Sequence, residues 1–479
     1  MRLESSLLIV TVAAALPACS LHTIERDPPP PLAAPIPERF SELEADGDAQ
    51  VERWWTQFGD AELDTLVNHA LSDNLDLRRA LARIHQAEAL ARTAGAVQLP
   101  TLNANAGVSG ARNVFNIGGP IGVRSNEAAN YTLGVSAAWE LDLFNRLGHT
   151  ADAADLDLAA TREDKNALAM SLAARVTELY LQAVGERALI DLLLAQEASA
   201  KKLVELVELR FGQGLAAISD VYAQRQLLST LTAQRPLAEA RLQLAKHQLA
   251  TLMGRPPSAL SLADVRALPP VPAAPKTGLP AEVLNRRPDV RAALLRVTAA
   301  DHRVGAAIAA QYPSLNLSAS TGFQAPDLFE IFEYWVWNMA ANLVAPLFDG
   351  GRRSAEVERT RAVLEDLVLA YGQATLTALT EVESALAQEA RQRDHVERLE
   401  EQLQLAKLAY TETEVRYANG LSTYLEVLSA QRVLQQSEQS MLQARRQHLG
   451  FRVQLHRALG GTWMNAATNT EPHNDRGTP

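Results

Sequence analysis

The chain alternates between two hydrophobic patterns, one typical of strands and one typical of long helices. In "YTLGVSAAWELDLF", which begins at Tyr131, every second residue is apolar and most residues between are small or polar. The same period of two follows Pro100, follows Pro313 and returns at Trp335. Because successive side chains of a strand point to opposite faces, this pattern predicts strands with one apolar and one polar face. The four predicted strands span about 100–110, 130–143, 314–323 and 334–347.

Between the strands, apolar residues recur every three to four positions, which is the period of a helix. Nothing interrupts this pattern from Asn145 to Phe211 or from Gly351 to Tyr417. At ~1.5 Å per residue, each helix would be roughly 100 Å long, far more than the ~30 Å core of a bilayer. Both segments carry charges throughout, so the helices are expected to pack side by side in water. A cytosolic coiled coil is the alternative, and the N-terminal segment and the strands argue against it.

Four sequence blocks occur twice in the same order. The block "RFGQGLAAISDVYAQRQ" begins at Arg210, and "RYANGLSTYLEVLSAQR" begins at Arg416. Each reads as a helix end, a turn at Gly214 or Gly420, and the start of a returning helix. The ordered recurrence predicts an internal duplication of about 200 residues, with one helical hairpin in each repeat.

These patterns divide the chain into six parts. The division is a lipoprotein signal peptide at 1–18, a lipidated extended arm at 19–60, repeat 1 at 61–254, a Pro-rich equatorial segment between the repeats at 255–283, repeat 2 at 284–463 and a disordered tail at 464–479. The hairpin tips fall at about 210–220 and 416–426.

The N-terminus resembles a bacterial lipoprotein signal. An apolar run from Leu7 to Leu16 is too short to span a bilayer, and "LPAC" follows it. Cleavage before Cys19, the single cysteine, would leave a thiol for acylation, so the expected prosthetic group is a covalent lipid and no other cofactor. A secretory signal with an incidental cysteine is the alternative. Ser20 indicates the outer membrane, because lipoproteins of this kind that stay in the inner membrane carry Asp there.

The polar face of the predicted strands is rich in Ser, Asn and Gly, which is too polar for the core of a soluble sandwich. Membrane strands, with the apolar face toward lipid and the polar face toward a lumen, are the favoured interpretation. Four strands cannot close a barrel, and an open edge in lipid leaves backbone groups unpaired. Copies of the chain must therefore pool their strands, and these patterns leave open whether two or three copies do so.

Composition excludes several classes of function. The net charge of −11 and the lack of a basic run exclude nucleic acid as the main partner. A mean hydropathy of −0.10 excludes a polytopic helical membrane protein. The sequence contains no phosphate-binding Gly-rich loop, HExxH or GxSxG motif, so the chain is not expected to be an enzyme. The ten His residues are scattered and the single Cys cannot complete a ligand set, so no metal site is expected.

Four segments, in a fixed order, carry a resemblance that covers nearly the whole chain. They are "WELDLFNR", "RRPDVRAA", "APLFDGGRR" and "RYANGLSTYLEVLSAQR". The chain resembles the TolC family of outer-membrane efflux proteins, in the lipoprotein branch named after NodT that includes OprM-like channels. The resemblance implies a mainly α fold with membrane β-strands. A homotrimer would form a 12-stranded β-barrel in the outer membrane that continues into a periplasmic α-helical barrel. It further implies the exit duct of a tripartite efflux pump, which passively conducts drugs or other small toxic compounds.

The partners implied by the resemblance are an inner-membrane RND-type transporter, a periplasmic adaptor and outer-membrane lipid. The adaptor would contact the hairpin tips at Gly214, Leu215, Gly420 and Leu421. The tips would also close the tunnel through a periplasmic gate formed by Asp220, Arg416, Tyr417, Leu425, Ser429 and Arg432. Ser429 departs from the branch, where an acidic residue is common at this place, and Glu426 is a substitute acid nearby.

Two other functions remain open at this point. The same architecture serves as the outer-membrane duct of type I protein secretion, although the lipobox and the NodT-like segments argue against it. An envelope lipoprotein without transport activity is the other alternative, but such a scaffold has no need of strands with a polar face. The residues do not identify the transported compound, because that choice lies mainly in the inner-membrane pump.

Overall fold

A computed structural model describes residues 21–41, 53–116, 123–262, 267–275 and 279–460. Eight α-helices lie within these ranges: α1 Ala61–Asp73, α2 Leu75–Ala96, α3 Arg146–Gly212, α4 Ile218–Leu252, α5 Pro280–Arg286, α6 Pro288–Ala309, α7 Arg352–Ala418 and α8 Tyr424–Leu459. The four strands are β1 Thr101–Asn116, β2 Val123–Leu141, β3 Ser314–Ala325 and β4 Trp335–Val344. Cys19 and the predicted tail at 464–479 lie outside the described residues.

The described residues form two compact units. The first contains Ile84–Thr161 and Ala293–Tyr371, together with the described residues up to Pro31. The second contains Arg162–Ala292, the described residues from Leu32 to Arg83, and those from Gly372 onward. The strands belong to the first unit, and both hairpin tips belong to the second.

The four strands form one antiparallel sheet in the order β1-β2-β3-β4. The register places apolar residues beside apolar residues, and polar residues beside polar residues, across the sheet. One row reads Leu102, Ala137, Ala319 and Met339, and the next row reads Asn103, Ser136, Ser320 and Asn338. Since neighbouring rows face opposite sides, the sheet has one apolar and one polar face, which confirms the predicted alternation. Leu102 and Met339 are each 75% exposed, so no described residue covers the apolar face there.

The hairpin of β1 and β2 is longer than predicted. Residues 111–130 were expected to form a loop because they are rich in Gly, Asn and other polar residues, but backbone pairing continues to Asn116 and Val123. The ladder needs only backbone groups, so a polar sequence can extend it. Arg112 and Glu127 pair directly across the strands, with Nε and Oε1 3.4 Å apart.

The predicted long helices are confirmed. Helices α3 and α7 contain 67 residues each, and each begins and ends within one residue of its predicted bounds. Each returns through a short turn into a second helix, α4 or α8, of 35 and 36 residues. Within the described part of the chain, no helix combines the length and apolarity that a bilayer crossing would require.

The second unit has a core centred on an aromatic cluster. Trp54, Trp55 and Phe58 lie on a short 3-10 helix and are at most 3% exposed. They pack with residues of α1, α3, α4 and α8. The predicted extended arm at 19–60 is therefore wrong for its last residues, because burying three aromatic rings favours a helical turn over an extended chain. The described residues 21–41 contain no helix or strand.

Candidate functional site: the helical tips

The first tip is the turn between α3 and α4. Gly214 has a φ of +73°, in the left-handed region that favours glycine. The Leu215 N–H donates to the Arg210 carbonyl at 2.8 Å, and the Gly214 N–H donates to the Phe211 carbonyl at 2.9 Å. These bonds satisfy the last free carbonyls of α3 and end the helix at the glycine.

The second tip repeats this geometry between α7 and α8. Gly420 has a φ of +74°, the Leu421 N–H donates to the Arg416 carbonyl at 2.8 Å, and the Gly420 N–H donates to the Tyr417 carbonyl at 2.9 Å. The duplicated sequence blocks therefore fold into the same turn. Leu215 and Leu421 follow the two glycines and are 62% and 68% exposed.

Acidic residues stand in the first turn of both returning helices. The Asp220 carboxylate accepts from the Ala217 N–H at 3.2 Å, which caps α4. Glu426 accepts from the Thr423 hydroxyl at 3.1 Å at the start of α8. A negative charge at a helix N-terminus also interacts favourably with the helix dipole. Both acids thus stabilise their own turn.

Tyr417 differs from the other predicted gate residues because it is buried. It is 3% exposed, and its ring lies between the Arg210 guanidinium, 4.5 Å from the ring centroid, and the Tyr424 ring at 6.2 Å. Arg210 also donates from Nη1 to the Tyr417 carbonyl at 2.8 Å. These contacts join the two tips within one chain. Sequence reasoning missed the role of Arg210, although the Arg-aromatic pair opens both repeated blocks.

A buried polar network lies beside Tyr417 and was also missed. The Tyr424 hydroxyl donates to Gln224 Oε1 at 3.0 Å, and Gln224 Nε2 donates to Gln431 Oε1 and to the Ala200 carbonyl, each at 3.2 Å. Burial is the main cause that raises the pKa of Tyr417 and Tyr424, so both phenols stay protonated at neutral pH. The network fixes α4 against α8 just above the turns.

The remaining predicted gate residues of α8 share one exposed face. Leu425, Ser429 and Arg432 are spaced by four and three residues, which places them in line along the helix. All three are exposed, and Leu425 is 72% exposed. This face combines an apolar, a hydroxyl and a cationic side chain, and the described residues leave all three exposed.

Within one chain, the predicted gate charges do not form a latch. Arg416 is exposed, and its Nη2 donates to the Leu421 carbonyl at 3.5 Å. In the described part of the chain, Arg416 and Asp220 form no ion pair with each other, and Arg432 forms none with either acid of the tips.

Because Tyr417 is buried, replacing it is expected to change the stability of the tips. Tyr417→Ala is expected to destabilise the tips by roughly 3 kcal/mol, at the low end for a buried aromatic because the neighbouring turn can partly collapse. Tyr417→Phe is expected to be neutral, since the hydroxyl has no hydrogen-bond partner among the described residues. Hydrogen exchange of tip amides measures the effect. Tyr222→Ala is the control, because this tyrosine of the other hairpin is 61% exposed; equal effects at both positions would contradict the prediction.

Comparison with known proteins identifies the family of this chain. Residues 66–255 and 279–461 match the model of the family described as outer membrane efflux protein. The chain belongs to the outer membrane efflux proteins. The family model therefore matches the chain twice, once in each repeat.

Relatives and solved structures agree with this assignment. The chain is 34% identical to the pyoverdine export outer membrane protein OpmQ of Pseudomonas aeruginosa, over 91% of this chain and 92% of that protein. It is 31% identical to the toluene efflux pump outer membrane protein TtgF of Pseudomonas putida, over 97% and 98%. The solved structure of the outer-membrane channel OprN matches with a TM-score of 0.86 at 28% identity, over 93% of this chain and 100% of that one.

This efflux protein is thus an outer-membrane exit duct, as the sequence predicted. The resemblance to the TolC family and its NodT/OprM-like branch is confirmed, and so is the mainly helical fold with a four-stranded sheet and an internal duplication.

Proposed function

We propose that this efflux protein works as a homotrimer that receives small toxic organic compounds from an RND-type inner-membrane transporter through a periplasmic adaptor. The relatives named for pyoverdine export and toluene efflux support a small-molecule cargo. The observation that carries the proposal is the pair of equivalent tips with exposed leucines. Leu215 and Leu421 present two similar apolar points on identical turns, which suits a partner that binds both repeats.

The sheet supports assembly with other copies. Within the described residues, β1 pairs only with β2, and β4 pairs only with β3, so two strand edges are left with unpaired backbone groups. An unpaired edge in lipid costs several kcal/mol for each backbone group. Three copies that join β4 to β1 would form a closed twelve-stranded sheet, with the polar rows toward the lumen and the apolar rows toward lipid.

A crosslinking experiment in cells tests the partners. A photo-reactive residue is placed at Ala216 or Ser422, beside the two glycine turns, and captured proteins are identified by mass spectrometry. We expect a periplasmic adaptor encoded with an RND pump at both positions. The same residue at Arg79, an exposed position on α2, is the control and should not capture it. Capture of the adaptor of an ABC exporter would instead indicate protein secretion, and capture of envelope scaffold proteins alone would overturn the proposed adaptor contact at the tips.

We further propose that the exposed face of α8 and the tip charges close the tunnel between copies. Arg416→Gln and Asp220→Asn remove a charge while keeping hydrogen-bonding atoms in place. Each is expected to raise single-channel conductance in a planar bilayer, because the resting tunnel loses an attraction between copies. Arg79→Gln, a charge removal on α2, should leave conductance unchanged. Wild-type conductance in both tip variants would refute this assignment of the gate.

Anchoring through a lipid on Cys19 completes the proposal. The lipobox-like "LPAC" supports it, and the expected modification is acylation of the thiol after signal cleavage. Cys19→Ala is expected to abolish incorporation of labelled fatty acid. Ser20→Ala, next to it, should retain the label. Labelled lipid on the alanine variant at position 19 would show that another residue is acylated.

A further inference from the structure

The first unit brings together three metal-ligating side chains that the sequence keeps apart. His149 and Asp152 lie one turn apart on α3, and His302 lies on α6, 153 residues after His149. The Nδ1 atoms of the two histidines are 3.1 Å apart, and His302 Nδ1 is 3.4 Å from Asp152 Oδ2. Donor atoms of all three residues lie within 4.8 Å of one another.

The two shorter separations fit a tetrahedral ion. Zinc binds imidazole nitrogen and carboxylate oxygen at about 2.0–2.2 Å, and tetrahedral angles then place neighbouring ligand atoms about 3.3 Å apart. The two measured separations bracket that value. Two histidines and one carboxylate also form the three-ligand set found in zinc sites whose fourth position holds water.

The surroundings hold the His149 ring in place. Gly305 lies next to this ring, and a Cβ at position 305 would be 2.9 Å from His149 Nε2, so a larger residue would push the ring away. His149 is also 3% exposed, so the fold encloses its ring.

Neighbouring contacts fix α3 against α6 without using the three ligands. Arg303 forms an ion pair with Asp157, two turns after His149. Asp301, the acid beside His302, is engaged by the N-terminal segment, because it pairs with His22 Nε2 at 2.5 Å and accepts from the Glu25 N–H at 2.9 Å. Asp152 is the ligand that reaches solvent, since its side chain is 54% exposed. An ion could therefore enter from that side.

We propose that His149, Asp152 and His302 form a binding site for a divalent transition-metal ion of the zinc type, which links α3 to α6. The scattered histidines predicted no metal site in the sequence, whereas the fold brings His149 and His302 together across 153 residues. His149 and Asp152 lie on the helix that follows β2, and His302 lies on the helix that precedes β3. A bound ion would therefore join the two helices that flank the central strands of the sheet.

Zinc binding by the full chain tests this proposal. The protein is purified in detergent with a tag free of histidine, stripped with a chelator, incubated with Zn²⁺ and dialysed, and the metal is counted by mass spectrometry. We expect one Zn²⁺ per chain and a higher thermal midpoint with zinc than without it. Co²⁺ in place of Zn²⁺ should give the visible absorption of a tetrahedral nitrogen and oxygen site.

Three ligand variants and one control decide the outcome. His302→Gln and His149→Ala are expected to weaken zinc binding by more than the 10–100-fold that a supporting residue costs, and Asp152→Asn to weaken it about 10-fold or more. His247→Gln, an exposed histidine on α4, should bind like the wild type. If His149→Ala does not fold, the other two ligand variants decide. Zinc content that is substoichiometric, or that is unchanged in Asp152→Asn and His302→Gln, would overturn the proposal.

Discussion

Replacing Arg287 with alanine is expected to destabilise the folded chain by about 3 kcal/mol, the low end for removing one partner from a buried ion pair, because the two carboxylates left behind are 38% and 28% exposed. The Arg287 side chain is 2% exposed and binds on three sides. It contacts Asp289 at 2.6 Å and Glu381 at 2.8 Å, and it donates to the Ala458 carbonyl at 3.2 Å. The variant leaves a partly buried carboxylate and a helix-end carbonyl with fewer partners.

Thermal unfolding of the purified protein in detergent measures this loss. Arg287→Lys is expected to recover only part of the stability, because an ammonium group lacks the planar fork that engages several acceptors. Arg79→Ala is the matched control, since Arg79 pairs with Asp76 at 3.0 Å with both side chains about two-thirds exposed. Exposed pairs contribute at most about 1 kcal/mol. An unchanged midpoint for Arg287→Ala would show that the buried cluster does not stabilise the fold.

The second large effect concerns acid. His456 is 0% exposed and stacks on Trp54, with ring centroids 5.2 Å apart and planes 9° from parallel. Burial, followed by the nearby charge of Arg452, lowers the pKa of His456 from 6.5 to about 3. Between these values the unfolded chain binds a proton that the folded chain does not bind. The stability that depends on neutral His456 is therefore fully present above pH 6.5 and is lost as pH falls toward 3.

At 1.36 kcal/mol per unit, this residue alone accounts for up to about 5 kcal/mol of acid destabilisation. His456→Phe is expected to flatten the fall of the thermal midpoint between pH 6.5 and 4.5. The ring keeps its stacking surface, and neither ring nitrogen of His456 has a hydrogen-bond partner among the described residues. His395→Phe, at an exposed histidine of α7, is the control and should keep the wild-type slope. Identical slopes for both variants would contradict the prediction.

Below pH 4.5 a second group contributes. Contacts with His448 at 3.0 Å and with Arg452 lower the pKa of Glu389 from 4.5 to about 2 against the opposing effect of burial. This stabilisation is present above pH 4.5 and is lost as pH falls to 2. Most of this loss therefore occurs at lower pH than the loss between pH 6.5 and 4.5 that His456 causes. The His456 variant should therefore still unfold in stronger acid.

The sequence by itself determined the local architecture. The alternation that begins at Tyr131 predicted a sheet with two unlike faces, because the period of two is a property of the strand and needs no knowledge of its partners. The uninterrupted helical period gave both bounds of α3 and α7 to within one residue. The turns at Gly214 and Gly420 followed from the left-handed backbone that a helix end requires. Ordered motifs then identified the family.

Only the tertiary structure decided which side chains meet. The side chain of Tyr417 is the clearest case, because the family resemblance implies a gate residue there while the fold buries it between Arg210 and Tyr424. The same holds for Arg287 against Ala458 and for His149 against His302, which are separated by 171 and 153 residues. Such pairs depend on how segments that are far apart in the chain are aligned against the long helices. That alignment results from the summed packing of many Ala and Leu side chains, which no local period records.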